Sequence, residues 1–385
     1  MREKRREGQT RILQVVDGMY RAGLETWLMH ILRHIDRERY RMDFLVQDFD
    51  EAHYDREIRS LGSEVIPCTP RYNLPKHTRD FRRILREHGP YDVVHAHYHF
   101  YNGYALELAR RAEVPVRITH SHNDTSGPDS EGGIGRRAFI KAARYLQSRN
   151  ATEGIAVSEG AARALFGKDW HKDPRWSILY TSIVPERFEG PVDRAAVRRE
   201  FGVSEDAFVV GHVGRFMEQK NHRFLVEIFA EISRRDPEAR LVLVGAGPLR
   251  EEVEGYLKGY GVRDKTVMAG VHPDPERLMR GLMDVFVLPS LHEGLPLVGI
   301  EAQASGLPFF FSDVIPEEVN ALPELARPLP LSLPASGWAE RILAVRNRPP
   351  KLSQEEALRR MKDGPFNIHH AVRRLEEVYG QRPAE

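Results

Sequence analysis

Residues 285–304 read VFVLPSLHEGLPLVGIEAQA, and this stretch contains one repeating unit of the fold. Val285–Leu288 is an uninterrupted apolar run with the length of a buried strand. Pro289 and Ser290 end the run, a loop containing Gly294 follows, and small apolar residues from Leu297 onward favour a helix. A strand, a loop and a helix in this order are typical of a parallel sheet that helices cover on both faces.

The same alternation recurs along the whole chain. In the first half we predict strands at Arg11–Val16, Met42–Val46, Val65–Ile66, Asp92–Ala96, Pro115–Thr119 and Ile155–Val157. In the second half we predict strands at Phe208–Val213, Leu241–Val244, Thr266–Ala269, Val285–Leu288 and Leu307–Phe311. Amphipathic stretches separate the strands, and the last of them, Phe366–Tyr379, has no strand after it. The two series predict two doubly wound α/β domains.

The chain length agrees with this reading, because 385 residues make two domains at about 100–200 residues each. Pro185 interrupts the pattern within Tyr180–Phe188, so we place the domains at 1–184 and 185–362, with a C-terminal helical segment at 363–385. The proline-rich stretch Arg327–Pro334 indicates a second linker. Ligands of such domains bind at the carboxyl ends of the strands, and with two domains the cleft between them is the expected site.

Composition excludes several classes of protein. Hydrophobic residues make up 41% and charged residues 29%, the mix of an ordered globular chain. No run approaches the ~18 apolar residues of a membrane span, and the first ten residues lack the apolar core of a secretory signal. One cysteine, Cys68, excludes an internal disulfide framework and a cysteine zinc cluster. We therefore expect a cytoplasmic protein.

Charge is balanced overall but unevenly spread. The net charge is +1, with 26 Lys and Arg against 21 Asp and Glu in residues 1–150, and an acidic surplus in the rest. This is too mild for a nucleic-acid-binding protein, so we expect no nucleic-acid partner. A basic first half is compatible with an anionic substrate or an anionic membrane surface. Random scatter of surface charge would give the same counts.

The loop after the first strand carries Gly18 and Gly23 in a G-x4-G spacing. Leu24 and Glu25 follow where a P-loop would continue with Lys and Ser or Thr, so this is not a Walker A site. A glycine-rich turn that leads into a helix can still present backbone N–H groups to an anion. The alternative is a tight turn with no ligand.

Two later loops carry charged residues. Arg215 and Lys220 flank the turn after strand Phe208–Val213, where a planar guanidinium and a compact ammonium can converge on one diphosphate. Two unrelated surface cations would look the same. Glu293 lies in the loop after Val285–Leu288, and Glu301 lies about two helical turns into the next helix. The neighbours of Glu301 are small and apolar, so its carboxylate needs a partner, for which a pair of ligand hydroxyls is suited.

Four histidines close two consecutive predicted strands, His95 and His97 the first, His120 and His122 the second. At strand carboxyl ends they face the expected ligand site, where they could donate to a phosphate or sugar oxygen or transfer a proton. Their spacing could also suit zinc. No H-E-x-x-H pattern accompanies them, so we expect no metal.

Together these motifs resemble the retaining glycosyltransferases of family four, in their bacterial capsule and exopolysaccharide branch. The string E-G-L-P-x4-E, with Glu293 and Glu301 eight residues apart, is similar to that family's E-x7-E motif. Further segments that resemble the family in order and spacing are Val213–Arg215 with Lys220, Val244–Pro248, Pro289–Ser290, Ser312–Glu318 and Met19–Thr26. The resemblance runs from about Arg11 to Tyr379.

The resemblance implies an α/β GT-B fold, in which two Rossmann-like doubly wound domains face a central cleft and the C-terminal helix crosses back to the first domain. The acceptor would bind the first domain and the nucleotide sugar the second. The implied donor-binding residues are Gly23, Arg215, Lys220, Val267, Gly270, Glu293, Gly294, Leu295 and Glu301. Within this set Gly23 would bind the distal phosphate, Arg215 and Lys220 the diphosphate, Glu293 the sugar, Glu301 the ribose and the backbone at Val267–Gly270 the base.

The family's histidine falls on His120 or His122, and we favour His122. The implied catalytic residues are Glu293, His122, Arg215 and Lys220, and the acceptor-side candidates are His97, His120 and Asn123. The chain departs from the family at Ala22-Gly23, usually Gly-Gly, and at Thr181-Ser182, usually Asn-Gly. We expect Gly23 to occupy a position that needs positive φ or a close approach.

The implied reaction is retaining, metal-independent transfer of a sugar from a nucleoside-diphosphate sugar, with UDP as the expected nucleotide. The implied acceptor is a glycan or a polyprenyl-diphosphate-linked sugar in surface polysaccharide synthesis, and no cofactor is expected. A non-catalytic nucleotide-sugar-binding subunit is an alternative that the two departures permit. A nucleotide-sugar epimerase of the same fold is another, which the order of the four charged residues disfavours.

Two basic helices in the first half suggest a location at the inner face of the cell membrane. The first carries Arg79, Arg82, Arg83 and Arg86; the second carries Arg136, Arg137, Lys141 and Arg144, with Phe139, Ile140 and Tyr145 interleaved. Basic and aromatic residues in this pattern are typical of helices that lie on anionic membranes. A solvated helix face is the equal alternative.

Overall fold

The computed structural model describes residues 8–124, 133–346, 348 and 351–381, and these form two compact units. The first unit comprises the chain up to Thr181 and the segment from Ile368 onward, and the second is Ser182–Asn367. The divisions lie a few residues from the predicted 184 and 362. Ile183 donates its N–H to the Phe366 carbonyl at 2.8 Å, so the two connecting segments pair with each other inside the second unit.

The first unit contains a seven-stranded parallel sheet in the order β3-β2-β1-β4-β5-β6-β7. Its strands are β1 (Thr10–Val15), β2 (Tyr40–Val46), β3 (Val65–Pro67), β4 (Val93–Ala96), β5 (Val116–Ser121), β6 (Glu153–Ala156) and β7 (Trp176–Ile178). Its helices are α1 (Gly23–His34), α2 (Asp55–Ser60), α3 (Leu74–Glu87), α4 (Asn102–Arg111), α5 (Ile134–Asn150), α6 (Glu159–Phe166) and, from the C-terminus, α14 (Ile368–Tyr379). Strand β7 was not predicted, because its three residues are all half-buried and give no apolar run.

The second unit contains a six-stranded parallel sheet in the order β10-β9-β8-β11-β12-β13. Its strands are β8 (Val209–Val213), β9 (Arg240–Val244), β10 (Thr266–Gly270), β11 (Val285–Leu288), β12 (Phe309–Ser312) and β13 (Ala326–Leu329). Its helices are α7 (Arg194–Glu200), α8 (His222–Arg235), α9 (Arg250–Gly259), α10 (Pro275–Gly281), α11 (Leu297–Ala304), α12 (Ala335–Leu343) and α13 (Gln354–Asp363).

Strand β13 corrects one prediction. The segment Arg327–Pro334, predicted as a linker, begins inside β13, which pairs with β12. Pro328 cannot donate a hydrogen bond, but β13 is the edge of the sheet, where a missing donor costs no ladder bond. The fold class is confirmed: each unit is a doubly wound, Rossmann-like α/β domain, and the C-terminal helix returns to the first unit.

Apolar strands buried on both faces explain why each sheet forms. In the second unit Phe286 and Phe309–Phe311 are almost wholly buried between helices of the two layers. In the first unit β4 is wholly buried, and most residues of its neighbours β1 and β5 are buried too. Continuous burial of this kind is what parallel sheets require. None of the described helices combines the length and the apolar character that a bilayer crossing needs.

The register of the central strands decides which side chains meet. Gln14 on β1 pairs with His95 on β4, and His95 pairs with Ile118 on β5. Residues two apart on a strand point to the same face. His97, His120 and His122 therefore share one face of the sheet with Gln14 and His95, toward its carboxyl edge.

Candidate functional site

The four predicted histidines form one cluster in the first unit. Together with two residues that hydrogen-bond to them, they make up what we call the histidine network: Gln14, His95, His97, His120, His122 and Tyr379. Tyr379 is the last residue of α14. Helix α14 lies against α1, and the Tyr40 hydroxyl at the start of β2 donates to the Glu376 carbonyl of α14 at 3.1 Å. The C-terminal helix thus contributes directly to a cluster on the N-terminal sheet.

Hydrogen bonds join the rings in pairs. His95 Nε2 lies 3.1 Å from His120 Nδ1, and His97 Nδ1 lies 2.8 Å from His122 Nε2. The Tyr379 hydroxyl lies 2.9 Å from His95 Nδ1. The Trp27 ring stands perpendicular to the His120 ring, with the ring centres 5.4 Å apart. These contacts fix the orientation of every ring in the network.

Burial keeps the histidines neutral. His95 and His120 have no exposed surface, and removal from water lowers the pKa of each well below its usual value. Burial lowers the pKa of His97 in the same way and that of His122 to about 3. Of the four histidines, only His122 is half-buried; the other three are buried. His122 is therefore the one that a ligand can reach, whereas His120, a predicted acceptor-side residue, is enclosed by protein.

Two groups could be considered for a metal. Ring nitrogens of His95, His97 and His120 lie within 4.8 Å of one another, a donor set that zinc accepts. In the structure a hydrogen bond joins His95 to His120, and its proton occupies a lone pair that a metal would need. Asp48 and Asp50 form an Asp-x-Asp string, but Asp48 accepts a hydrogen bond from the Tyr20 hydroxyl and another from the Asp50 N–H.

The loop before α1 differs from our expectation. Gly23 is the first residue of α1, its φ is not positive, and a Cβ added to it would meet no atom within 4 Å. The expectation of positive φ is wrong, because Gly23 already has helical geometry and Ala22 makes the extended turn before it. Ala22, which precedes α1, provides no side-chain cap, and a helix N-terminus of this kind can present backbone N–H groups to an anion.

In the second unit two backbone loops hold Arg215 in place. The loop after β8 lies against the loop after β9, with Gly214 N–H donating to Val244 O at 2.9 Å and Phe216 N–H donating to Ala246 O at 3.0 Å. A Cβ at Gly245 would lie 2.1 Å from the Gly214 oxygen, so the approach requires glycine there. The Arg215 side chain is exposed and pairs with no carboxylate among the described residues. The structure thus presents the Arg215 guanidinium on a turn that backbone hydrogen bonds hold against the neighbouring loop.

Lys220 and Glu293, predicted from separate motifs, form an ion pair. Lys220 Nζ lies 2.6 Å from Glu293 Oε1, with both side chains largely buried. Gln219 supports the pair by donating to Glu293 Oε2 at 3.2 Å and to the His292 carbonyl at 2.9 Å. Asn221 donates to the Pro289 carbonyl at 3.1 Å. These bonds lock the loop after β8 to the loop after β11 and place a cation beside a carboxylate.

Glu301 lies in a second buried charge group. Arg187 binds the Glu276 carboxylate on α10 with two nitrogens. Its Nε lies 2.8 Å from Glu276 Oε1, and its terminal Nη2 donates to Glu276 Oε2 at 3.0 Å. Burial raises the pKa of Glu301 to about 7, against the opposing effect of Arg187. Burial and the nearby Glu301 also raise the pKa of Glu276. The pKa of Glu276 rises to about 8, so the two buried carboxyls share a proton at neutral pH while Arg187 neutralises the charge that remains.

The remaining predicted donor residues lie in β10 and in the loop that contains Glu293. Gly270 ends β10 with φ of 68°, a conformation that glycine adopts without strain. Gly294 and Leu295 follow Glu293 in a loop that is buried on both sides of Pro296. Val267 lies within β10 itself and is half-buried. Asn123, predicted on the acceptor side, is exposed next to His122.

The two basic helices are exposed as predicted, with one exception. Arg136, Arg137 and Lys141 on α5 are exposed, and so are Ile134 (87%) and Tyr145 (61%). Arg144 is half-buried and donates to the Ala164 carbonyl at 2.7 Å, so it joins α5 to α6 and does not belong to the exposed face. We call Arg136, Arg137 and Lys141 the α5 basic face. On α3 the four arginines are exposed.

Several residues of these groups were not predicted from the sequence. Gln14 gives a signal, since it is a polar residue inside the apolar run RILQVV. Arg187 and Glu276 give none, because they meet across 89 residues of chain. Tyr379 lies on the apolar face of an amphipathic helix and looks like ordinary core.

Comparisons with known proteins identify the family of the chain. The glycosyl transferase 4-like domain family matches residues 22–175, and the glycosyl transferases group 1 family matches residues 193–320. A protein of Bacillus subtilis (strain 168) described as a glycosyltransferase, EpsF, is 39% identical over 356 residues, which cover 91% of this chain and 92% of that protein. An Escherichia coli UDP-Gal:alpha-D-GlcNAc-diphosphoundecaprenol alpha-1,3-galactosyltransferase is 26% identical over 58% of each chain.

Solved structures share the fold. Anabaena Alr3699/HepE in complex with UDP-glucose superimposes with a TM-score of 0.79 at 18% identity, over 96% of this chain and 99% of that one. WaaG, a glycosyltransferase involved in lipopolysaccharide biosynthesis, superimposes with a TM-score of 0.74 at 18% identity, over 96% and 100%.

Proposed function

The chain belongs to the glycosyltransferases that join a glycosyl transferase 4-like domain to a glycosyl transferases group 1 domain, and from this we propose that it transfers a sugar from a UDP-sugar with retention. The observation that carries the proposal is the group of charges on the second unit. Arg215 pairs with no carboxylate in the described part of the chain, Lys220 and Glu293 are paired at 2.6 Å, and Glu301 is a buried carboxyl in the helix that follows the Glu293 loop.

Each charge has a task in this reaction. Arg215 and Lys220 stabilise the negative charge that develops on the diphosphate as the bond from the anomeric carbon to the phosphate oxygen breaks. Glu293, beside Lys220, accepts hydrogen bonds from sugar hydroxyls next to that phosphate. Glu301 accepts hydrogen bonds from the ribose hydroxyls. The acceptor oxygen bonds to the anomeric carbon on the face the phosphate leaves, and its proton passes to the departing phosphate oxygen.

UDP is the proposed nucleotide. One relative is named for UDP-Gal and one structural neighbour was solved with UDP-glucose, and both names support uridine here. We propose that transfer needs no divalent metal, since two cations of the protein can neutralise the diphosphate. His122 and the N-terminus of α1 in the first unit would act on the sugar and the distal phosphate, as the family resemblance implies.

We propose a lipid-diphosphate-linked acceptor in surface polysaccharide synthesis, used at an anionic membrane surface. The name of the Escherichia coli relative includes a diphosphoundecaprenol-linked sugar. The α5 basic face, with Ile134 and Tyr145 exposed beside it, is suited to an interface between water and lipid.

A ligand panel and a transfer assay test the proposal. A nucleotide at 100 times its Kd should stabilise the folded chain by roughly 2.7 kcal/mol, and UDP should do so at lower concentration than GDP or ADP. UDP-sugars should be consumed slowly without acceptor and faster with a lipid-linked acceptor. Binding of UDP-sugars without any consumption, alone or with acceptors, would instead indicate a binding subunit.

A further inference from the structure

Gln14 joins two chains of hydrogen bonds inside the first unit. Its side-chain oxygen lies 2.8 Å from His97 Nε2, and its side-chain nitrogen donates to the Tyr379 hydroxyl at 3.1 Å. The first chain continues from His97 to His122, and the second continues from Tyr379 to His95. Gln14 has no exposed surface, so its amide exchanges no hydrogen bonds with water.

The first chain determines which nitrogen of His97 carries a proton. An amide oxygen can only accept, so the proton in the bond between Gln14 and His97 belongs to His97 Nε2. His97 is a neutral imidazole, because burial lowers its pKa well below the usual value. A neutral imidazole carries one proton, so His97 Nδ1 is bare and accepts a hydrogen bond.

The same reasoning extends to His122. The bond between His97 Nδ1 and His122 Nε2 spans 2.8 Å, and its proton belongs to His122 Nε2 because His97 Nδ1 is bare. His122 is also neutral, since burial lowers its pKa to about 3. Its single proton is therefore at Nε2, and its Nδ1 is a bare acceptor.

The bare nitrogen of His122 is available to a ligand. His122 lies just beyond the carboxyl end of β5 and is partly exposed. Among the described residues, none hydrogen-bonds to its Nδ1. A bare imidazole nitrogen accepts from a hydroxyl but offers nothing to a phosphate oxygen, which is itself an acceptor.

We propose that Gln14 and His97 are positioning residues that hold His122 in its Nε2–H tautomer, so that His122 Nδ1 accepts a hydrogen bond from a hydroxyl of the sugar or of the acceptor. The inference rests on the proposed function, since it assumes that a sugar binds at His122. It assigns His122 to hydroxyl recognition and excludes it from donating to the diphosphate. Reversal of the Gln14 amide would invert both chains and put the proton of His122 on Nδ1.

The histidine ring nitrogens report this arrangement directly. We would label the full chain with ¹⁵N-histidine and record two-bond ¹⁵N–¹H spectra, assigning the His122 signals by their loss in His122→Asn. The expected spectrum shows Nε2 protonated and Nδ1 with the downfield shift of an unprotonated nitrogen. A protonated Nδ1, or two averaged nitrogens, would overturn the proposal in the unmodified chain.

Three variants separate positioning from folding. Gln14→Met removes the acceptor for His97, so His122 should populate both tautomers and kcat should fall by roughly tenfold, the effect of one lost hydrogen bond, with KM for the UDP-sugar nearly unchanged. Gln14→Glu keeps an acceptor but places a carboxylate beside His97, so it is measured at a pH where the His97 ring nitrogens show a single proton, and there it should keep the Nε2–H signature of His122. Tyr379→Phe is the matched control, because it cuts only the second chain of hydrogen bonds and should leave the His122 signature intact.

The experiments distinguish failure of the positioning role of Gln14 and His97 from failure of the proposed function. An unchanged His122 spectrum in Gln14→Met, or an equal change in Tyr379→Phe, would refute the positioning role of Gln14 and His97. A chain with the expected spectrum that consumes no nucleotide sugar would refute the proposed function and leave the tautomer assignment standing.

Discussion

Protonation of Glu301 should make binding of a UDP-sugar depend on pH. The buried carboxyl has a pKa of about 7 in the free protein, and ribose hydroxyls hydrogen-bond best to its ionised form. With that pKa, about one tenth of the molecules are ionised at pH 6 and about nine tenths at pH 8. Binding should therefore be roughly tenfold tighter at pH 8, which corresponds to about 1.4 kcal/mol.

The free protein should show the opposite trend in stability. The folded-state pKa of Glu301 is raised above its unfolded value of 4.5, so its contribution to stability is fully present below pH 4.5 and is lost as pH rises through 7. Glu301→Gln, which cannot ionise, should unfold with a weaker pH dependence, measured by urea denaturation at pH 5 and pH 8.

UDP-glucose is a suitable probe for the binding assay, because its two phosphates do not titrate between pH 6 and pH 8, whereas the terminal phosphate of UDP does. Isothermal titration in two buffers of different ionisation enthalpy should show release of a proton on binding near pH 7. Glu301→Gln should bind with equal affinity at both pH values. Equal affinity of the unmodified chain at pH 6 and pH 8, or an unchanged pH dependence in Glu301→Gln, would refute the assignment of Glu301.

Three further predictions concern the cations. Arg215→Ala and Lys220→Ala should each cost about 2–4 kcal/mol of transition-state stabilisation, measured as kcat/KM, and equal rates in variant and parent would contradict the diphosphate role. Transferase activity should be unchanged in EDTA. A loss of activity that Mn²⁺ restores would show that a metal ion stabilises the diphosphate. Changing the three residues of the α5 basic face to Gln should abolish salt-sensitive binding to anionic vesicles without altering UDP affinity. Arg144 is left unchanged because it joins α5 to α6. Equal sedimentation of the unmodified chain with neutral and anionic vesicles would argue for a soluble acceptor.

Local patterns in the sequence were sufficient for the fold. Apolar runs such as Val285–Leu288 and the helical spacing between them predict both sheets, since each strand signals its own burial. The edge strands β7 and β13 were missed because edge strands are short and tolerate polar residues and proline. Register between strands is not written in any one segment, so the sequence alone could not place Gln14 beside His95.

The charged residues were predictable as candidates but not as partners. Lys220 and Glu293 each follow a strand, and the carboxyl ends of β8 and β11 are neighbours in the sheet, yet their 2.6 Å contact depends on the loop bonds of Gln219. The charge state of Glu301 depends on Arg187, which lies 114 residues earlier in the chain. Electrostatic environments of this kind arise from tertiary contacts that periodicity does not reveal.

Replacement of Glu293 tests the proposed donor site most directly, because this carboxylate lies against Lys220 and is assigned to the sugar alone. The measurement compares turnover of a saturating UDP-sugar with the affinity for UDP in the parent chain and in Glu293→Gln, which keeps the shape of the side chain. We expect turnover to fall by at least about a hundredfold, the scale of losing one transition-state hydrogen bond in a buried site, while the Kd for UDP changes by less than about tenfold. Near-full turnover in Glu293→Gln at saturating donor would contradict the role of Glu293 and the donor site built around it.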